Sequence, residues 1–230
     1  MRIKLLSLGI IVALLSTALI GCTQNSQAES TPVLLRPSEL IPTSEGTLLF
    51  EDNFENPEQG WDISLAGRRP EATYTRGEIV LQRTSNVYGH YAYARPHLAF
   101  DNTILEVSGR WAGGAVGGTY GVLFRYQNER NYYAFRVGND GRYVLGKREM
   151  GVWTGLLTGF DAAIGRMGEI NRIHLEVVGQ EIRCFVNGVY VGGLRDSTHT
   201  LGDVALALWL PEGTDWTSAA FDDIVIARYP

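Results

Sequence analysis

Four residues with polar chemistry to offer recur at spacings that hairpins bring side by side: Arg125, Tyr132, Arg136 and Arg148. A four-residue loop at 127–130 pairs Arg125 with Tyr132, and a three-residue loop at 139–141 pairs Tyr132 with Arg148. Loop length sets register in a hairpin. On that register Val122, Phe124, Tyr126, Tyr133, Phe135, Val137, Tyr143 and Leu145 share a core face. The opposite face carries Arg125, Tyr132 and Arg148 in one row, Leu123, Ala134 and Gly146 in the next, and Arg136 and Val144 one step further. Small residues flanked by arginine and tyrosine form a shallow groove. Tyrosine brings a stacking face and arginine a planar fork of donors, which suits a sugar, acidic sugars included. A solvated sheet face accounts for the same residues, and a one-residue slip would turn all of them inward.

The tryptophans divide in the same way. Trp111 is in phase with Leu105 and Val107 and belongs to the core. Trp209 is out of phase with Val204, Leu206 and Leu208, and Trp216 lies in the polar loop 211–217, so both are candidates for stacking on a ligand. A second set of residues is acidic. Asp52, Asp222 and Asp223 suit calcium if the first and last strands lie together, because hard cations take carboxylate and carbonyl oxygens. A β-bulge at Asp222–Asp223 explains the same pair without a metal.

Other chemistries are poorly served. No Gly-x-Ser-x-Gly elbow occurs. His90, His97, His174 and His199 are scattered without metal-ligand spacing. Cys184 alternates in phase with Ile182 and Val186 and reads as an inert core thiol. The run 109–118 has no helix after it and no P-loop lysine, so it reads as a loop between strands and not a phosphate cradle. No catalytic residue is assigned.

The elements that must position these residues are short. From Thr47, runs rich in Val, Ile, Phe and Tyr alternate with polar residues and are punctuated by Gly, Asn and Asp. The pattern predicts strands at 47–54, 72–75, 78–84, 90–95, 103–111, 119–127, 131–138, 142–148, 151–156, 171–178, 181–186, 189–194, 203–210 and 218–228. Asn187–Gly188 is the pair of a two-residue type I′ hairpin, and Gly141 suits a left-handed position closing a three-residue loop. Phe160 to Gly168 has room for one helical turn, weakened by two glycines. Many short strands at regular spacing predict an all-β, antiparallel jelly-roll β-sandwich.

The chain of 230 residues begins with Arg2 and Lys4, then an uncharged run from Leu5 to Ile20, too short for a membrane span of about 20 apolar residues. The segment closes on Leu19-Ile20-Gly21-Cys22, which resembles the lipobox of bacterial lipoproteins. The expected organisation is a signal peptide at 1–21, a lipidated Cys22 with a flexible Ser/Thr/Pro-rich tether over 22–46, and one domain at 47–230. Val33-Leu34-Leu35 is an apolar patch in that tether with a capacity to pack on the domain. The lipid anchors the protein to a membrane at the bacterial cell envelope. The resemblance places it at the outer membrane in a Gram-negative cell, since no Asp follows Cys22, and otherwise on the outer face of the cytoplasmic membrane. A net charge of −5 argues against nucleic acid as a partner.

Three groups of residues resemble a known superfamily: Leu49-Phe50-Glu51-Asp52-Asn53-Phe54 with Gly60-Trp61; Gly121 to Tyr126 followed by Asn131 to Val137; and Asn171 to Val177, then Phe185-Val186-Asn187-Gly188 and Phe221-Asp222-Asp223-Ile224. Together they resemble the concanavalin A-like jelly-roll domains, nearest the laminin-G-like and 3-keto-disaccharide hydrolase-type branches, over about residues 47–229. The resemblance implies a buried aromatic at Trp61 and at Trp153. It also implies carbohydrate or protein recognition, or glycan cleavage. The glycan-cleaving branch carries Glu-x-Asp-x-x-Glu on one strand. That motif is absent, and Glu51 to Glu55 has the wrong spacing. The expectation is a lipid-anchored, non-catalytic binding module for a glycan or an envelope protein. The alternatives are a glycoside-active hydrolase of the 3-keto-disaccharide type and a structural envelope lipoprotein.

Overall fold

The computed structural model describes residues 33–34, 46–59, 61, 71–84, 90–93, 99–209 and 214–230. The export segment, Cys22 and most of the tether lie outside them. The strands are β1 (Val33–Leu34), β2 (Thr47–Asp52), β3 (Glu71–Thr75), β4 (Glu78–Thr84), β5 (His90–Tyr93), β6 (Thr103–Gly114), β7 (Thr119–Asn128), β8 (Asn131–Gly138), β9 (Arg142–Glu149), β10 (Val152–Phe160), β11 (Ile170–Val178), β12 (Glu181–Val186), β13 (Val189–Arg195), β14 (Asp203–Trp209) and β15 (Trp216–Arg228). Among the described residues the helical content is one 3-10 turn at Pro57–Gln59.

The strands form two antiparallel sheets. One runs β1-β13-β12-β11-β6-β15-β4-β3, with β2 also paired to β15. The other runs β10-β9-β8-β7-β14-β5. Neighbours in space are far apart in sequence, as β6 beside β15 and β7 beside β14 show, which is the crossing pattern of a jelly roll. The patch at Val33–Leu34 forms a strand on the β13 edge, with Val33 opposite Arg195.

Period-two alternation supplies the core. Leu105, Val107 and Trp111 of β6 and Ile173 and Leu175 of β11 face Val122, Phe124, Tyr133 and Phe135 of the second sheet, and all are buried. Each fully buried aliphatic or aromatic side chain stabilises the fold by about 1.5–3 kcal/mol. Cys184 is completely buried among them, and burial pushes its thiol well above the ordinary range. Where polar groups enter the core they are matched. Tyr120 packs edge-on to Phe221, donates to the Gly109 carbonyl and accepts 2.7 Å from Asn171 Nδ2.

The turns follow their residues. Asn187 and Gly188 both have positive φ, as a type I′ hairpin requires, and Gly141 is left-handed at φ 90°. Two differences from the sequence expectation have plain causes. β6 continues through Gly114, so half of the expected 109–118 loop is strand. β10 runs on to Phe160, so the expected helical turn begins only after it, as a turn closed by Ile164 N on the Asp161 carbonyl.

The central correction concerns Arg125. The expected register holds up to Phe124, which pairs with Tyr133, but then shifts, and pairing resumes only at Asn128 with Asn131. Arg125 takes a left-handed backbone at φ 47° inside this bulge. Its side chain therefore leaves the outer face and is only 3% exposed. Nη1 donates to the His199 carbonyl at 2.9 Å, and Nη2 donates to the carbonyls of Asp101 at 3.1 Å and Gly179 at 2.8 Å. Arg125 thus ties β7 to two loops of the opposite sheet and to the segment leading into β14. Replacing it as Arg125→Met leaves three carbonyls without this donor and is expected to cost roughly 3 kcal/mol. Urea unfolding of the variant measures this, and a loss below about 1 kcal/mol would show that the clamp is dispensable.

Candidate functional site

The outer face of the six-stranded sheet carries the residues that the register argument grouped, with the membership changed. Its central row crosses the sheet as Gly155, Gly146, Ala134, Leu123 and Ala205, each paired to the next. The neighbouring row holds Val144, Arg136, Gly121 and Ala207. Side chains this small let long neighbours lie across them. At Gly146 an added Cβ would stand 2.4 Å from the Trp153 ring, and at Gly121 it would stand 2.1 Å from the Phe135 carbonyl oxygen.

Arg136 is the centre of this face. Its guanidinium carbon lies 5.0 Å from the centroid of Trp153 and 5.1 Å from that of Trp209. Burial lowers its pKa from the ordinary value; the Tyr132 phenol opposes that shift and the Arg142 charge adds to it. On the other side of the central row, Tyr132 stacks on Tyr126 with centroids 5.8 Å apart and planes 24° apart. Arg148 stands opposite Tyr132 and donates from Nε to the Gly151 carbonyl at 3.0 Å. Leu123, Ala134, Ala205 and Ala207 are fully buried within this cluster, and Trp209 packs against it. The expected open trough is therefore a filled platform of aromatic and guanidinium groups.

The bulge that turns Arg125 inward turns Tyr126 outward, so the expected core assignment of Tyr126 is also corrected. Trp153 is 37% exposed on this face, where the resemblance implied a buried ring. A signal for it exists in the chain. Met150 and Gly151 both have positive φ and form a two-residue hairpin that sets Trp153 opposite Arg148. The expected strands at 142–148 and 151–156 break one residue earlier than this turn. Trp216 is 44% exposed but belongs to β15, in the nine-stranded sheet, beside Gly113 and not in a loop. It does not join the Arg136 cluster.

The nine-stranded sheet has its own outer cleft of about 520 Å3, lined by Glu106, Arg172, His174, Phe185, Asn187 and Gly188. Its ionic groups are matched within the sheet. Arg172 Nε lies 3.3 Å from Glu106 Oε1, and His174 Nδ1 lies 3.3 Å from Glu106 Oε2.

The acidic residues do not assemble as a calcium site. Asp52 is buried, but Oδ1 accepts the Phe54 N–H and Oδ2 accepts the Trp61 indole N–H, both at 2.8 Å. Asp223 is exposed at φ 48° in the bulge between Asp222 and Val225, and its N–H donates to Asp222 Oδ1 at 2.8 Å. Burial raises the Asp222 carboxyl above its ordinary value, while that Asp223 N–H lowers it. A cleft of about 360 Å3 opens beside Glu51, Asp52, Asn53 and Asp223. Among the described residues no group of three His, Cys, Asp or Glu side chains is placed to hold a metal. Asp52 works instead as an acceptor that fixes the turn after β2 against Trp61. Exhaustive EDTA treatment of the mature chain is expected to leave its Tm unchanged, while Asp52→Ala destabilises it by roughly 1–3 kcal/mol with or without calcium. A fall in Tm on chelation that calcium reverses would contradict this assignment.

No protein-family model matches the sequence, and no characterised protein matches it as a sequence relative. Solved structures do match in shape. The carbohydrate-binding module CBM66 of Bacillus subtilis superposes with a TM-score of 0.60 at 14% identity, covering 74% of this chain and 96% of that one. A lichenase from a mouse hindgut metagenome gives 0.60 at 12% identity, covering 77% and 98%. The β-glucanase of Bacillus licheniformis gives 0.56 at 16% identity, covering 80% and 100%. At such identities the likeness is one of fold: the chain is a concanavalin A-like, antiparallel jelly-roll β-sandwich.

Proposed function

We propose that this protein is a carbohydrate-binding module held at the bacterial cell envelope by a lipid on Cys22, and that it binds through the outer face of its six-stranded sheet. The observation that carries the reading is Arg136 held between Trp153 and Trp209, next to the Tyr126–Tyr132 stack. Aromatic rings pack on the C–H faces of sugar rings, and planar donors take their oxygens. The shared fold of a carbohydrate-binding module and two glucanases supports the same reading. Hydrolysis of a glycoside needs two carboxyl groups flanking the bond. Among the described strands of this sheet the carboxylates are Glu149, 3.5 Å from Lys147, and Asp203, which is buried and accepts the Val204 N–H. Both are engaged, which favours binding over a glycoside-active hydrolase.

Purified mature protein titrated calorimetrically with a panel of oligosaccharides is expected to bind one class saturably. Trp153→Ala is expected to weaken that binding by about tenfold or more, because a central aromatic contributes most of such an interface. Saturable binding unchanged by Trp153→Ala would move the site elsewhere, and no binding across the panel would end the carbohydrate reading.

The anchor is tested separately. Cells grown with a labelled fatty acid are expected to label the wild-type chain, and Cys22→Ser is expected to lose both label and membrane fraction. A labelled Cys22→Ser chain would overturn the assignment of the anchor.

A further inference from the structure

Arg136 is set apart from most of the arginines on the two sheets. On the nine-stranded sheet, Arg110 lies 2.6 Å from Glu78, Arg172 lies 3.3 Å from Glu106, Arg183 lies 3.4 Å from Glu176, and Arg195 lies 2.7 Å from Glu181. Those charges are neutralised within the fold. On the outer face of the six-stranded sheet Arg142 lies 2.7 Å from Asp140, whereas Arg136 makes no hydrogen bond or ion pair with any described residue, and its Nε is buried without an acceptor. Arg148 has a carbonyl on Nε and no described carboxylate. The chain as a whole carries a net charge of −5, so acidic residues were not scarce.

The guanidinium carbon of Arg136 lies over both indole rings, 5.0 Å from the centroid of Trp153 and 5.1 Å from that of Trp209. A guanidinium binds along its edge, through N–H groups lying in its plane, and cation–π contacts leave that edge unsatisfied. A buried donor without an acceptor costs roughly 1–3 kcal/mol. An oxyanion with two parallel oxygens removes that cost and gains a bidentate, charge-assisted pair. Burial also holds Arg136 below its ordinary pKa, as expected of a cation with no counter-charge beside it. Two rings packed on the guanidinium restrict it beforehand, so little side-chain freedom is lost when an anion arrives.

We propose that the ligand of this face is an anionic glycan, whose carboxylate or sulfate is received edge-on by Arg136 between Trp153 and Trp209, with Arg148 as the second cation. This rests on the carbohydrate reading above and adds the charge class of the sugar.

The test is a calorimetric titration of the full mature chain with four tetrasaccharides: tetragalacturonate, its methyl ester, a sulfated carrageenan tetrasaccharide and neutral laminaritetraose. Tetragalacturonate or the sulfated sugar is expected to bind about tenfold or more tightly than laminaritetraose. Methyl esterification keeps the shape of the uronate and removes its charge, and is expected to abolish the uronate's advantage. Raising salt from about 50 mM to about 500 mM is expected to weaken binding of the anionic sugar and leave any neutral binding unchanged. Arg136→Gln is expected to lose the charge preference. Arg136→Lys keeps the charge without the fork and is expected to recover only part of it. Preference for tetragalacturonate identifies a carboxylate and preference for the carrageenan sugar a sulfate, and both support the proposal. Equal binding of the neutral, esterified and anionic sugars overturns it and leaves the carbohydrate reading standing. No binding of any of the four at high concentration overturns it together with that reading. The ester and salt comparisons use the wild-type chain, so they decide the question even if the Arg136 variants fail to fold.

Discussion

The clamp between the sheets and the tyrosine stack outside them both depend on the left-handed residue at Arg125. A strand has two faces and strict alternation, and an unbroken β7 would put Arg125 outside and Tyr126 inside. One positive φ exchanges them. A non-glycine residue in this region costs of order 1–2 kcal/mol, and the cost is met locally by three carbonyls that accept from the guanidinium. The same exchange brings Tyr126 out to stack on Tyr132. Clamping the sheets and building an aromatic platform are thus one structural event. The segment that Arg125 holds is fixed a second time, because His199 N–H donates to the Tyr133 hydroxyl at 3.2 Å and His199 Nε2 lies 2.8 Å from the Arg148 carbonyl. The backbone of Arg148 is therefore tied to the end of β14 through the interior.

Regular alternation was legible in the chain, and local departures from it were not. Leu105, Val107 and Trp111, or Ile182, Cys184 and Val186, announce their faces by period alone, and Asn187–Gly188 announces its turn. The rows Leu123–Ala134–Gly146 and Arg136–Val144 follow from hairpin arithmetic because the loops at 139–141 and the pairing near Phe124 are regular. The bulge at Arg125 has no such marker. Arginine is not a residue that favours positive φ, and the reason for it lies in carbonyls at Asp101, Gly179 and His199, far away in sequence. Trp153 was misplaced for another reason: the family resemblance implied a buried ring there, whereas the Met150–Gly151 hairpin sets it on the outer face opposite Arg148. The acidic residues show a different limit of sequence reading. Asp52, Asp222 and Asp223 do lie near the junction of β2 and β15, but a carboxylate shows its partners only in space, and those of Asp52 are N–H donors.

The two outer faces illustrate opposite ways of carrying charge on a sheet. Glu176 and Arg183 of the nine-stranded sheet are each 1% exposed, and a buried charge is tolerable only when paired. Arg183 accordingly bridges Glu176 and Glu181, and Glu181 also takes Arg195. That ladder neutralises its own charges, although Arg183 Nε is buried without an acceptor. On the other face the indole rings do the partial work of an anion. They offer negative π faces to Arg136, which shelters the cation without a carboxylate.

Such an arrangement is possible only over small residues. Trp153 can lie across Gly146 because no side chain stands beneath it, and Gly121 lets the Arg136 strand approach closely. The run of Gly155, Gly146, Ala134, Leu123 and Ala205 is therefore not an empty floor, as its composition suggests, but the foundation on which aromatic and guanidinium groups are laid. Groups held in place by packing before a ligand arrives lose little entropy when it does. The place of Arg136 in this platform is set by two tryptophans whose own positions follow from a two-residue turn and the end of a strand.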